Sequence, residues 1–177
     1  MKPTNRLALK EWSLVRRFLH EGSVILTFLE DYVPADREFL LFPTYDQQRV
    51  EALKPAAGMV YRHELRPPKA GHIYLRDYAE VVASFEIHSA VKAVDREHAF
   101  TELEMRKRLA EASSGLVALA LRVYHLSVPR RIAERKKYED GDRFLSLPGE
   151  IAVDGLRPAL SESDFERRLA VVQRAFE

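Results

Sequence analysis

Residues 38–48 read EFLLFPTYDQQ, and this stretch decides the fold because both faces of the strand it predicts are apolar. Side chains alternate between the two faces of a strand, so Phe39 and Leu41 share one face. Leu40 and Phe42 share the other. A strand that is apolar on both faces lies inside a sheet whose two sides are covered. The stretch therefore predicts a central strand that delivers the following residues to one rim of the sheet.

Polar side chains follow as soon as this strand ends. Thr44, Tyr45 and Gln48 would be rim groups, and loop residues held by a rigid scaffold are those that most often meet ligands. The alternative is structural, with Thr44 or Asp46 capping a short helix over residues 46–54. The sequence leaves both interpretations open.

Turns and periodicity predict the other elements. Residues 9–29 favour a hairpin turning at Glu21 and Gly22 over a helix in residues 9–19. A second hairpin is predicted over residues 130–148, with its turn at Asp140 and Gly141.

The remaining segments add one clear strand and two helices. AEVVASFEIH, residues 79–88, alternates apolar and polar side chains as a strand does. Asp95 is a plausible N-cap for a helix reaching about Ser113. Ser161, with Asp164 three positions later, predicts the start of a C-terminal helix. Hairpins outnumber strand-helix-strand units, so we predict an α+β domain with a mixed, largely antiparallel sheet, or a small barrel, and flanking helices.

Composition limits the classes of function. The 177 residues, 46% of them apolar, fit a single domain over residues 1–177, and a net charge of +1 gives no global attraction to nucleic acid. The absence of cysteine excludes disulfides and thiolate metal sites. Since no apolar run approaches the length of a membrane span, we expect a cytoplasmic protein with no membrane partner.

One candidate for chemistry is an acidic strand face. Glu80, Glu86 and His88 point the same way at a period of two, with Asp77 before them, and they could share a divalent ion. They are the catalytic candidates for a metal-dependent phosphodiesterase or nuclease, the only interpretation that calls for Mg²⁺ or Mn²⁺. A solvated outer sheet face gives the same pattern.

The other candidate is a basic stretch in residues 122–138, whose local charge is +5. Arginine and lysine interleaved with aromatic residues suit phosphate contact and base stacking. The predicted nucleic-acid-binding residues here are Arg122, Tyr124, Arg130, Arg131, Arg135, Lys136 and Lys137, which join Thr44, Tyr45 and Gln48. Residues 21–46 carry −5, so mutual neutralisation of the two segments is the alternative.

Other site types find no support in the sequence. The histidines show no metal-ligand spacing, so no metal site and no cofactor are predicted outside the nuclease alternative. No glycine-rich phosphate loop or serine-hydrolase motif occurs.

Four separated motifs resemble one bacterial family. They are ALKEW (8–12), REFLLFPTYDQQ (37–48), LRVYHL (121–126) and LSESDFERRL (160–169), and their order and spacing are similar to those of domain of unknown function 1802. The family resemblance implies no activity. A further likeness to small barrels that read modified bases suggests a restriction-associated or DNA-repair context.

The sequence thus predicts a nucleic-acid-binding domain in defence or repair, with a homodimer or a nuclease as possible partner. The alternatives are the metal-dependent nuclease and a protein-interaction module without catalytic activity. Whether the protein is an enzyme is left open.

Overall fold

The structure is a computed structural model that describes residues 4–30, 37–55, 61–89, 92–138 and 141–176. For Lys137, the structure describes the backbone but not the side chain. None of the helices in these ranges is long and apolar enough to cross a membrane.

Within these ranges, seven strands form one sheet and three α-helices flank it. The strands are β1 Thr4–Trp12, β2 Leu26–Glu30, β3 Glu38–Thr44, β4 His72–Ile87, β5 Leu116–Ala133, β6 Phe144–Ala152 and β7 Arg157–Pro158. The helices are α1 Ser13–His20, α2 Glu102–Glu111 and α3 Glu162–Phe176. Short 3-10 helices cover Val50–Ala52, Arg62–Leu65, Lys92–Glu97 and Lys136–Tyr138.

The sheet has the order β2-β5-β4-β3-β1-β6, with β7 paired to β5. β1 and β3 are parallel, and the other pairs are antiparallel. The chain therefore forms a single α+β domain around a mixed, mostly antiparallel sheet, as predicted. The sheet stays open, so the barrel alternative is not adopted.

β3 lies between β4 and β1, which confirms the prediction of a central strand. Phe39 and Leu41 are completely buried in the larger core, where α1 and α3 pack. Leu40 and Phe42 belong to a second core on the opposite face of the sheet. The strand is central because neither face can be exposed to water without losing apolar burial.

The predicted hairpin at residues 9–29 is wrong, because β1 runs directly into α1. The helix buries Leu14, Val15 and Leu19 against the larger core, and that burial favours the helical alternative. The chain turns away from the end of this helix at Gly22, whose φ of +66° is readily adopted only by glycine. A Cβ on Gly22 would also lie 2.7 Å from Leu160 Cγ, so the close approach of the segment just before α3 favours glycine here.

The predicted hairpin at residues 130–148 is also wrong. β6 pairs with β1, while β5 pairs with β4, β2 and β7. Asp140, one of the two proposed turn residues, lies outside the described residues.

Tertiary contacts shorten two predicted helices. The helix expected over residues 46–54 is only the 3-10 helix at Val50–Ala52. The helix expected from Asp95 is interrupted at Phe100, which forms a bridge with Leu53. α2 starts afterwards, with Thr101 as its N-cap.

The C-terminal helix is confirmed. The backbone N–H of Asp164 donates to Ser161 Oγ at 3.2 Å, as the capping pattern predicts. Phe165 and Val172 are buried against the larger core.

Candidate functional site

A cavity of about 560 Å³ opens beside the ends of β1 and β3, and we call it the rim cavity. Its wall combines aromatic and charged side chains. The members that matter below are Lys10, Glu11, Trp12, Thr44, Tyr45, Arg135, Tyr138 and Arg143. Thr44 and Tyr45 thus lie where the sequence placed rim groups.

The floor of the rim cavity is held by hydrogen bonds. Lys10 is buried, and its Nζ donates to the backbone oxygens of Tyr138 and Gly141, each at 3.4 Å. Arg143 donates from Nε to the Lys10 carbonyl at 3.0 Å and from Nη2 to Glu11 Oε2 at 3.2 Å. Because Arg143 is 41% exposed, its fixed guanidinium also faces solvent.

Tyr45 stands half-buried in the cavity wall. Burial raises the pKa of its hydroxyl, while a hydrogen bond with Ser13 and the positive charge of Arg16 oppose that rise. The phenol therefore stays neutral at physiological pH.

Gln48 does not line this cavity. Its Oε1 accepts from the backbone N–H of Leu14 at 3.3 Å, and its Nε2 donates to the Glu64 carbonyl at 3.1 Å. Gln48 thereby satisfies a free donor of the first turn of α1, which makes it a helix cap.

The predicted basic stretch divides into two parts. Arg130, Arg131, Arg135 and Lys136 lie at the end of β5 and just beyond it, and we call them the basic arm. Arg130 is half-buried and the other three are exposed. In the part of the chain that the structure describes, none of the four forms an ion pair, whether with residues 21–30 and 37–46 or with any other described residue.

Arg122 and Tyr124 lie apart from the basic arm. Arg122 precedes Arg130 by eight residues of β5, roughly 26 Å along an extended strand. It pairs with Glu162 at 2.7 Å and its guanidinium lies 4.7 Å from the centre of the Phe165 ring. Tyr124 is half-buried between Tyr78 of β4 and Pro158 of β7.

The structure does not bring the four acidic-face candidates together. Asp77 is completely buried, whereas the Glu86 and His88 side chains are each 83% exposed and lie 3.9 Å from each other. Nine residues of β4 separate Asp77 from Glu86, which corresponds to roughly 30 Å. Glu80 lies between them, half-buried and paired in register with Glu38 and Arg122.

Asp77 instead belongs to a buried ion cluster, formed by Arg16, His20, Glu64, Asp77 and His125. Arg16 Nη1 donates to Asp77 Oδ2 at 2.7 Å, and Arg16 Nη2 lies 3.2 Å from Glu64 Oε2. His20 Nδ1 donates to Asp77 Oδ1 at 2.5 Å. The cluster ties α1 to β4 and to the 3-10 helix at Arg62–Leu65.

A ladder irregularity places Asp77 and His125 opposite each other. The register of β4 and β5 shifts between Leu75 and Asp77, and Pro129 of β5 lies in the irregular stretch. Beyond the shift, His125 is the partner of Asp77. The His125 ring stacks on the His20 ring with centres 4.1 Å apart, and its Nε2 donates to the His20 carbonyl at 2.7 Å.

Opposing effects determine the charges in the ion cluster. Burial by itself would raise the pKa of Asp77, but the hydrogen bond from His20 and the charge of Arg16 hold it below its ordinary value. Burial would likewise lower the pKa of Arg16, and the charges of Asp77 and Glu64 raise it above its ordinary value. Asp77 and Arg16 are therefore both charged at neutral pH.

The family described as Domain of unknown function (DUF1802) matches residues 8–171. The chain belongs to this family. Among solved structures, ASCH from Zymomonas mobilis is similar at 15% identity and a TM-score of 0.44, over 93% of this chain and 92% of that one. A point mutant of the same ASCH is similar at 12% identity and a TM-score of 0.46, over 97% of this chain and 99% of that one. No curated protein matches the sequence.

In this DUF1802 chain, sequence reasoning missed the ion cluster and the cavity floor. His20 and His125 are 105 residues apart, so no local spacing could reveal that they meet. The motif ALKEW did mark Lys10, Glu11 and Trp12 as family features, and these residues line the rim cavity. This motif was the one feature of the sequence that could have pointed to the residues of the cavity floor.

Proposed function

We propose that this chain binds nucleic acid, with a nucleotide in the rim cavity and the phosphate backbone along the basic arm. One observation carries the proposal: Arg135 belongs both to the cavity wall and to the basic arm. A ligand that fills the cavity therefore passes directly onto a row of cations without ion-pair partners in the described chain.

The cavity chemistry suits a nucleotide. Its volume of about 560 Å³ lies within the range of small-molecule sites, about 300–1,000 Å³. Tyr45 offers an aromatic ring, and stacking of a base on such a ring contributes about 1–3 kcal/mol. Arg143 and Arg135 offer the planar guanidinium groups that contact phosphate oxygens.

An unpaired strand fits this arrangement better than a duplex. A base can enter the rim cavity only when it is unstacked, and single strands offer unstacked bases at little cost. We expect single-stranded DNA or RNA to bind more tightly than a duplex of the same length.

The salt dependence of binding tests the basic arm. Fluorescence anisotropy would be recorded with a labelled single strand and a duplex between 50 and 300 mM salt, since Kd without a salt series has no clear meaning. Replacing Arg130, Arg131 and Arg135 by alanine should reduce the slope of log K against log salt by about 0.7 per lost contact on single strands and about 0.9 on duplex. A triple variant at Arg96, Arg106 and Arg167, exposed arginines outside the arm, is the matched control. Equal slopes in the two triple variants would refute the role of the arm.

Two substitutions at Tyr45 test the cavity. Tyr45→Ala removes the ring and should weaken binding by about 1–3 kcal/mol, whereas Tyr45→Phe keeps the ring and should bind like the unsubstituted chain. If both variants bind alike, the base does not stack on Tyr45.

The restriction-associated or repair context stays a prediction from the resemblance. It would be supported if methylated and unmethylated DNA of one sequence bound with different affinity. A homodimer or a nuclease partner is likewise a prediction, which the molar mass of the protein and its complexes in solution would test. The nuclease alternative loses its geometric basis, because Glu86 and His88 lie far along β4 from Asp77.

A further inference from the structure

We propose that His20, Asp77 and His125 bind a divalent transition-metal ion, with Zn²⁺ the best fit. Each of the three offers one ligand atom, and these atoms all lie within 4.8 Å of one another. In the described residues they are the one group of three or more histidine and carboxylate side chains placed in this way. The site is separate from the rim cavity, so the proposal goes beyond nucleic-acid binding.

In His125 and Asp77, the atoms that would not bind the ion make the hydrogen bonds that metal ligands need. His125 Nε2 donates to the His20 carbonyl, which leaves the lone pair of Nδ1 for an ion. Asp77 Oδ2 accepts from Arg16, so Oδ1, which faces His20 Nδ1, is the oxygen that would bind the ion. Hydrogen bonds of this kind fix the tautomer and the orientation of ligands in metal sites.

The ion would replace a proton. His20 Nδ1 donates its hydrogen to Asp77 Oδ1 at 2.5 Å, and when Nδ1 binds the ion this hydrogen leaves Nδ1 and the neutral imidazole carries its N–H on Nε2 instead. Two ligand atoms at about 2.0–2.1 Å from a tetrahedral zinc ion lie about 3.3 Å apart, so the pair opens by roughly 0.8 Å. His20 is the last residue of α1 and can make this movement, while Asp77 and His125 are fixed in one ladder.

Charge and access also favour a cation. Arg16 and Arg17 face three carboxylates in this region, those of Asp77, Glu64 and Glu21, so the acids exceed the arginines by one. The negative end of the α1 dipole lies at His20. The His20 side chain is 23% exposed, which gives an ion a path from solvent to the buried Asp77.

The ligand types select the metal. Two imidazoles and one carboxylate are a common set for zinc with one position left for water, whereas Mg²⁺ and Ca²⁺ prefer oxygen ligands throughout. Zinc should bind at one ion per chain, and magnesium at the same concentration should not.

Calorimetry with the full chain tests the proposal without any nucleic acid. The protein would be treated with chelator, exchanged into metal-free buffer and titrated with zinc chloride, and Co²⁺ would report histidine ligation by its visible absorption. His125→Ala should weaken zinc binding by more than about 100-fold, because loss of a direct ligand exceeds the 10–100-fold typical of an outer contact. His20→Ala should do the same, with folding of both variants checked by circular dichroism.

His88→Ala is the matched control, since His88 is an exposed histidine outside the cluster. It should bind zinc like the unsubstituted chain. The proposal is overturned if the unsubstituted chain binds no zinc at 100 µM, or if His125→Ala and His88→Ala bind it equally. Neither result would bear on the nucleic-acid proposal, whose residues lie elsewhere.

Discussion

Two regions of this molecule place arginine in opposite surroundings, the ion cluster and the basic arm. Arg16 is 2% exposed and contacts both Asp77 and Glu64. Arg131 and Arg135 are exposed, and no ion pair of theirs occurs in the part of the chain described. The contrast shows that arginine content alone does not indicate a binding surface, because burial and partners determine what each cation does.

The physical reason is the cost of removing a charge from water. A buried guanidinium without a carboxylate would be strongly destabilising, so Arg16 is accompanied by acids from two other elements. An exposed guanidinium remains solvated and needs no partner, which leaves it available to a phosphate. We therefore propose that the ion cluster stabilises the fold and that the basic arm contacts phosphates, and the predictions below test that division.

The largest effect is expected at Arg16. Arg16→Met leaves Asp77 buried with one partner lost, and breaking a buried ion pair in this way costs about 3–5 kcal/mol of unfolding free energy. Urea denaturation measures the loss. The double variant Arg16→Met with Asp77→Leu should recover part of it, because the completely buried charge of Asp77 is then absent while Glu64 keeps Arg17 at 4.0 Å. A loss below about 1 kcal/mol in Arg16→Met would mean that the cluster does not hold the fold.

Acid dependence sharpens the comparison, because two buried groups with lowered pKa titrate in different ranges. Burial and the nearby Lys54 charge together lower the pKa of His98 to about 4. Between pH 6.5 and 4 the unfolded chain therefore binds a proton that the folded chain does not, and about 3 kcal/mol of stability is lost as the pH falls. His98→Gln should remove this loss.

Asp77 acts below that range. Since its folded pKa is lowered, its contribution is present above the unfolded pKa of about 4 and is lost as the pH falls through the folded value. In His98→Gln, denaturation below about pH 4 should therefore still show a loss of stability as the pH falls. Substitutions in the basic arm should leave the dependence of stability on pH unchanged in both pH ranges. A changed dependence at low pH in such a variant would contradict the division between a stabilising ion cluster and a binding arm.

These residues also show what the sequence could and could not predict. β3 was predictable because alternation is a local pattern, and α3 because Ser161 and Asp164 are three positions apart. α1 was misassigned because its buried face is recognised only once β1, β3 and β5 cover it. The ion cluster was invisible because its members come from four elements, and the irregular register near Leu75 decides that Asp77 meets His125.

A smaller effect is expected at Gln48, which separates capping from recognition at the rim. Gln48→Ala removes the side chain that accepts from Leu14 N–H, so it should cost about 0.5–2 kcal/mol of stability and leave nucleic-acid binding unchanged. Thr44→Ala should show no capping cost, because the 3-10 helix at Val50–Ala52 has no side-chain cap. A Gln48→Ala variant that is fully stable but binds nucleic acid weakly would show that Gln48 contacts the ligand and does not act as a helix cap.

The smallest effect on stability is expected in the basic arm itself. Arg131 and Arg135 are exposed and lack ion-pair partners in the described ranges, so replacing either by alanine should change the unfolding free energy by no more than about 0.5 kcal/mol. Removing one of these charges also relieves repulsion between like charges within the arm, which offsets part of any loss. The division requires this near-zero result to coincide with weaker, less salt-dependent binding in the same proteins. A loss of more than about 1 kcal/mol would show that the arm supports the fold as the ion cluster does, and the contrast between paired and unpaired arginines would no longer identify the binding surface.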